Sequence, residues 1–149
     1  MSDRIRKAWR VYIKRYDYPE IVYAPTAGEA RVQIWRRLDD GVTRIIDVTA
    51  RRAPECDVRL PPRSPIADQL SKDQLHCLLH AFGCGGDVAK AGKRDYFYTR
   101  YDDPPLVALY ERGLMSIITV DEAYGPGMAY FVLTQAGKDV ALSCVPEYN

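Results

Sequence analysis

The chain has 149 residues, 47% of them hydrophobic and 28% charged, the composition of a folded globular protein with one domain or two small ones. That sets aside fibrous, repetitive and low-complexity classes. The net charge of +1 is unevenly spread. Up to Arg63 there are 14 Lys/Arg against 9 Asp/Glu, a net +5; from Ser64 onward there are 7 against 11, a net −4.

No run approaches the roughly 18 apolar residues of a membrane span. The opening MSDRIRKAW lacks the apolar stretch of a signal peptide. A cytoplasmic protein without membrane contact is expected. Cys56, Cys77, Cys84 and Cys144 show no paired framework and are expected to stay reduced. Eleven tyrosines, each an apolar body with a polar tip, suit an interface.

In chain order, Lys7 to Lys14 alternates, with Trp9, Val11 and Ile13 on one face, and predicts a strand. Residues 16–20 read as a turn, and Ile21 to Ala24 as a second strand. Thr26-Ala27-Gly28-Glu29 has the form of a capping box. The helix after it carries Ala27, Ala30, Ile34 and Leu38 at core spacing, with Arg31, Arg36 and Arg37 off that stripe. Asp39-Asp40-Gly41 ends it, and β-branched residues make Val42 to Ala50 a third strand. Residues 1–57 thus form a β-β-α-β module.

The stretch RRAPECDVRLPPRSP, residues 51–65, holds four prolines and alternating charges. A linker is assigned to 58–70. Arg51 and Arg52 are candidates for contact with phosphate or with an acidic protein face; the alternative is a solvated crossing.

Ser71 to Gln74 forms a second capping box, before a helix with Leu75, Leu78, Leu79 and Phe82 on one face and Gly83 as its stop. His76, His80 and Cys84 have partial zinc spacing, but no HExxH glutamate and no evident fourth ligand, so no metal is assigned. Gly83-Cys84-Gly85-Gly86 follows a helix and lacks a Lys-Ser/Thr end, so it is read as a turn. Lys90 to Tyr101 interleaves basic and aromatic residues, the pattern of a single-strand-binding surface or of a half-buried strand. Phe97 is assigned to the core; Arg94, Tyr98, Arg100 and Tyr101 are surface candidates.

Asp103 caps a helix from Pro104, with Leu106, Leu109 and Tyr110 buried and Gly113 ending it. Met115 to Val120 and Met128 to Leu133 form a hairpin across a loop containing Gly125-Pro126-Gly127. Thr134 caps a last helix with Ala136, Val140 and Ala141 facing in. Helix, hairpin and helix make residues 71–149 a winged-helix-like module. The expected class is α+β.

No nucleophile elbow, dinucleotide fingerprint or Walker loop is present, so no enzyme, cofactor or catalytic residue is expected. The helix at 104–112 makes a poor DNA reader. It has one base, Arg112, beside Glu111, with Asp102 and Asp103 at its start and Asp121 and Glu122 in the wing.

HCLLHAFG, RDYFYTRYDDPPLVALYERGLM and YFVLTQAGKDVA together resemble the C-terminal part of small phage and prophage proteins. AWRVYI, IVYAPTAGEARVQ and VTARRAPECD look like small phage modules that begin with a Trp-containing strand. The resemblance implies an architecture and a mobile-element setting in a bacterial host, and no site. Setting and charge together give the expectation of a non-enzymatic inhibitor. It would bind a host protein or ribonucleoprotein complex, of the anti-CRISPR or anti-defence kind, through Arg51, Arg52, Arg94, Tyr98, Arg100, Tyr101, Asp102, Asp103 and Glu111. The alternatives are a DNA-binding regulator of a mobile element and a single-stranded nucleic-acid binder, with nucleic acid entering through the basic N-terminal half.

Overall fold

The computed structural model describes residues 3–119 and 127–149. The acidic wing residues Asp121 and Glu122 and the Gly125-Pro126 turn lie outside them. The chain is α+β and divides into two compact units, the first ending at Leu60 and the second running from Pro61 to Glu147.

The first unit contains β1 (Arg4–Arg6), β2 (Ala8–Ile13), β3 (Glu20–Tyr23), α1 (Ala27–Leu38), β4 (Val48–Arg52) and β5 (Val58–Leu60). β2 is central in an antiparallel sheet of order β3-β2-β4, and β1 pairs with β5 apart from it. Val58 to Leu60, read above as the start of a linker, is therefore strand, and the chain leaves the unit only at Pro61.

Alternation along β2 puts Val11 and Ile13 under α1, where they meet Val22, Ala30, Ile34 and Val48. Trp9 closes this core, its indole N–H donating to the Ala24 carbonyl at 2.8 Å. Thr26 caps α1 by accepting from the Glu29 N–H at 3.2 Å. Strand β4 starts later than its β-branched residues suggest. Ile45–Asp47 is a 3-10 turn whose Ile45 carbonyl, with that of Val48, accepts from the Arg31 guanidinium. Arg31, off the apolar stripe, thereby ties α1 to the strand beneath it.

The second unit contains α2 (Lys72–Ala81), β6 (Tyr96–Arg100), α3 (Pro104–Glu111), β7 (Met115–Thr119), β8 (Met128–Leu133) and α4 (Gln135–Cys144). The 90–101 segment contributes a third strand to the hairpin, giving the order β6-β8-β7 with β8 central. The inner face of this sheet, through Phe97, Ala129, Phe131, Leu133 and Met115, packs with α2, α3 and α4 on one core.

Capping follows the sequence closely. Ser71 and Gln74 form the reciprocal box. Thr134 accepts from the Gly137 N–H at 3.1 Å and donates to the Gly113 carbonyl at 2.7 Å.

Three side-chain assignments change as well. Tyr110 is exposed, because the buried arc of α3 is only Leu106 and Leu109 wide. Ala136 is exposed, and the buried small residue is Gly137, whose α-carbon lies against the Leu114 carbonyl. Asp103 sits at the N-cap of α3, but its side chain accepts from Thr99 Oγ1 at 3.1 Å instead of from the helix. Pro104 and Pro105 carry no N–H, so the first turn has little for a carboxylate to bind. No helix of the described residues is long and apolar enough to cross a membrane.

Candidate functional site: an exposed tyrosine face

The side chains of β6 alternate between core and solvent, as do those of β8. Register then decides which residues meet on the outside. Tyr98 lies opposite Tyr130, Tyr96 opposite Val132 and Arg100 opposite Met128. On the other side Ile118 lies opposite Tyr130 and Ser116 opposite Val132. Among the described residues nothing covers this face: Tyr96, Tyr98 and Tyr130 are each 38–42% exposed and Ile118 is 55% exposed.

The rings are in mutual contact. Tyr98 and Tyr130 lie tilted with centroids 4.7 Å apart, and Tyr96 meets Tyr130 edge-on at 5.6 Å. The Arg94 guanidinium lies 5.4 Å from the Tyr96 ring. One Arg94 terminal nitrogen donates to the His80 carbonyl at 2.5 Å, so the same side chain caps α2. Its Nε is buried with no hydrogen-bond partner among the described residues.

Charges around the face are largely matched. Arg100 binds both oxygens of Asp102, at 2.9 and 3.1 Å, and its hydrogen bonds hold the Asp102 carboxyl below the usual carboxylate range. Lys138 lies 3.5 Å from Asp95. Tyr101, 58% exposed, follows β6 and donates its N–H to the Gly127 carbonyl at 3.0 Å. Glu111 is exposed at the far end of α3. Of the residues singled out from sequence, Arg94, Tyr98 and Arg100 thus belong to β6 or its approach, and Asp102 joins them through Arg100. Tyr130 and Ile118 complete the face and were missed. Their strands read correctly, but only the register shows that their outward positions fall beside Tyr98.

Arg51 and Arg52 belong to the first unit, on β4, and they differ. Arg52 is half-buried and makes a bidentate pair with Asp57, both contacts 2.6 Å, while donating to the Ala8 carbonyl at 2.8 Å. Its guanidinium lies 5.5 Å from the Trp9 ring. Those bonds, with one from the Ala8 N–H, lower the Asp57 carboxyl to about 2. Arg52 therefore holds the unit together and is withdrawn from the contact candidates. Arg51 is exposed, its guanidinium 5.5 Å from the Tyr12 ring.

The His76 and His80 rings stack with centroids 6.2 Å apart, and His80 packs on Phe97 at 4.8 Å. Burial, Arg94 and His76 push the His80 imidazole below its ordinary range. Burial raises the Cys77 thiol. Among the described residues no three His, Cys, Asp or Glu side chains converge as a metal set, and the four cysteines are not joined in disulfides.

No protein-family model, curated protein or solved structure matches the chain.

Proposed function

We propose that the protein is a non-catalytic binding module, and that the outward face of the β6-β8-β7 sheet docks on a partner protein. The observation that carries this reading is the contact cluster of Tyr96, Tyr98 and Tyr130 beside Ile118, all exposed. Aromatic residues that reach solvent while packed on one another present a preformed apolar surface, the composition of an interface centre. Of the two arginines beside the face, Arg100 is engaged by Asp102 and Arg94 is held against the Tyr96 ring and the His80 carbonyl, so at most one cation is left for phosphate, which favours a protein over a nucleic acid on this face. The resemblance to small phage proteins supplies the setting: an accessory factor that inhibits a host complex of the nucleic-acid-handling, anti-defence kind.

The test is affinity capture from a bacterial host lysate treated with nuclease, using the native chain and a Tyr98→Ala/Tyr130→Ala variant. A stoichiometric partner that survives nuclease and binds the variant at least about 30-fold more weakly, or roughly 2 kcal/mol, is expected. Equal recovery by both proteins, or no partner at all, overturns the reading.

A further inference from the structure

A second surface lies wholly within the first unit, at the end of β2, and does not depend on the tyrosine face. The β2-β3 turn and the 3-10 turn before β4 bring Lys14, Arg15 and Arg44 to one rim. The Lys14 N–H donates to the Asp47 carbonyl at 2.9 Å, which fixes one turn against the other. Beside that rim runs an open cleft of about 520 Å³, lined by Tyr12, Tyr16 and Ile46 as well as Lys14 and Arg44. A smaller recess of about 160 Å³, lined by Lys14, Arg15, Thr43 and Arg44, shares its edge. Tyr12, at the rim of the sheet's outer face, lies opposite Thr49 and carries Arg51 beside its ring; Tyr16 is 54% exposed.

The charge balance of this cleft differs from that of the tyrosine face. The one acidic lining residue, Asp47, accepts from the Arg44 N–H at 3.1 Å and from Arg44 Nε at 3.3 Å. Neither Lys14 nor Arg15 makes an ion pair among the described residues. Arg15 also holds φ +79°, a left-handed backbone that glycine would adopt without strain. A position suited to glycine is occupied by a cation beside Lys14 and the exposed Tyr16, with Arg44 held by Asp47 and the Tyr12 ring by Arg51 at the border. Cations spaced along an open cleft match a phosphodiester backbone, and the Tyr16 ring offers stacking surface to a base.

We infer that this cleft and the recess beside it bind single-stranded nucleic acid, with Lys14 and Arg15 on phosphates and Tyr16 against a base, while Arg44 stays paired with Asp47 at their side. Fluorescence anisotropy with labelled 12-nucleotide deoxythymidylate and uridylate strands, at two salt concentrations, tests it on the full chain. Salt-sensitive binding is expected. Lys14→Gln should reduce the slope of log affinity against log salt by about 0.7. Tyr16→Ala should weaken binding roughly 5-fold or more. Arg15→Gly is the decisive variant, because it removes the cation and keeps the backbone at ease. Its affinity should fall while its melting temperature holds or rises. Absence of binding at low salt, or affinity unchanged in all three variants, overturns the inference, as does equally tight binding of a polyglutamate peptide. Tyr98→Ala/Tyr130→Ala should bind the strand normally, so that failure of the protein-docking reading and failure of this one are told apart.

Discussion

Two residues carry the sharpest consequences at their own scale. Gly137 opens the buried side of α4, and a Cβ there would run into the Leu114 carbonyl and crowd Leu133. The obstructing atom is backbone, so it cannot swing aside. Gly137→Ala is expected to lose about 1–3 kcal/mol despite the better helix propensity of alanine, read from the urea midpoint at unchanged slope. Asp57 makes the second case. Its carboxyl falls to about 2 in the folded chain because Arg52 and the Ala8 N–H bind the ionised form. A group lowered on folding stabilises above its unfolded value near 3.9 and loses that contribution as pH falls through its folded value. Melting temperature should therefore drop between about pH 4 and pH 2, and Asp57→Asn should be less stable at neutral pH with a flatter acid limb. An identical limb in both proteins would remove Asp57 as its cause.

At the scale of elements, the sheet β6-β8-β7 stands on one strand. β8 pairs along its length on both sides, and its Phe131 is the largest fully buried side chain among the described residues. Phe131→Ala should cost about 3–5 kcal/mol. Tyr130→Ser, one residue earlier and pointing outward, should be far milder while abolishing partner capture. Comparing the two by urea denaturation separates what the strand does inward from what it offers outward.

Local rules were enough for much of this. Ser71 and Thr134 were legible as caps, because a cap is decided within four residues. Val11, Phe97 and Leu106 were legible as core or core-facing residues from period alone. Tyr130 and Ile118 were not legible as neighbours of Tyr98, since Tyr98 pairs with Tyr130 from more than thirty positions away, Ile118 reaches the face only through its own pairing with Tyr130, and a shift of one residue would turn each side chain to the other face. Arg52 looked like surface charge for a different, local reason. The carboxylate that claims it lies five residues on, beyond a 3-10 turn that propensity does not announce.

At the scale of the whole chain, the two units rest on cores of unequal size. Among the described residues the first buries seven hydrophobic residues in its cluster, all valine, isoleucine or alanine, whereas the second buries fifteen, including Phe131, Leu106, Leu109 and Leu114. Apolar burial is the main favourable term in folding, and a small sheet under one helix has little of it to set against chain entropy. The first unit compensates with polar ties that span its elements: Arg31 to the carbonyls of Val48 and Ile45, and Arg52 to Asp57 and Ala8. Such bonds are individually modest because folding forms them at the expense of bonds to water, so they narrow the difference without reversing it. Opening should therefore begin in the first unit. Native-state hydrogen exchange should report a lower opening free energy for the Val11 and Ile13 amides of β2 than for the Phe131 amide of β8, although both strands are central in their sheets. Ligand binding gives this ordering a functional reading. A short single strand held on Lys14, Arg15 and Tyr16 is bound by residues of the first unit, so it should raise protection of the β2 amides by the free energy of its binding. Equal protection of β2 and β8 without ligand would mean that the polar ties outweigh the smaller core.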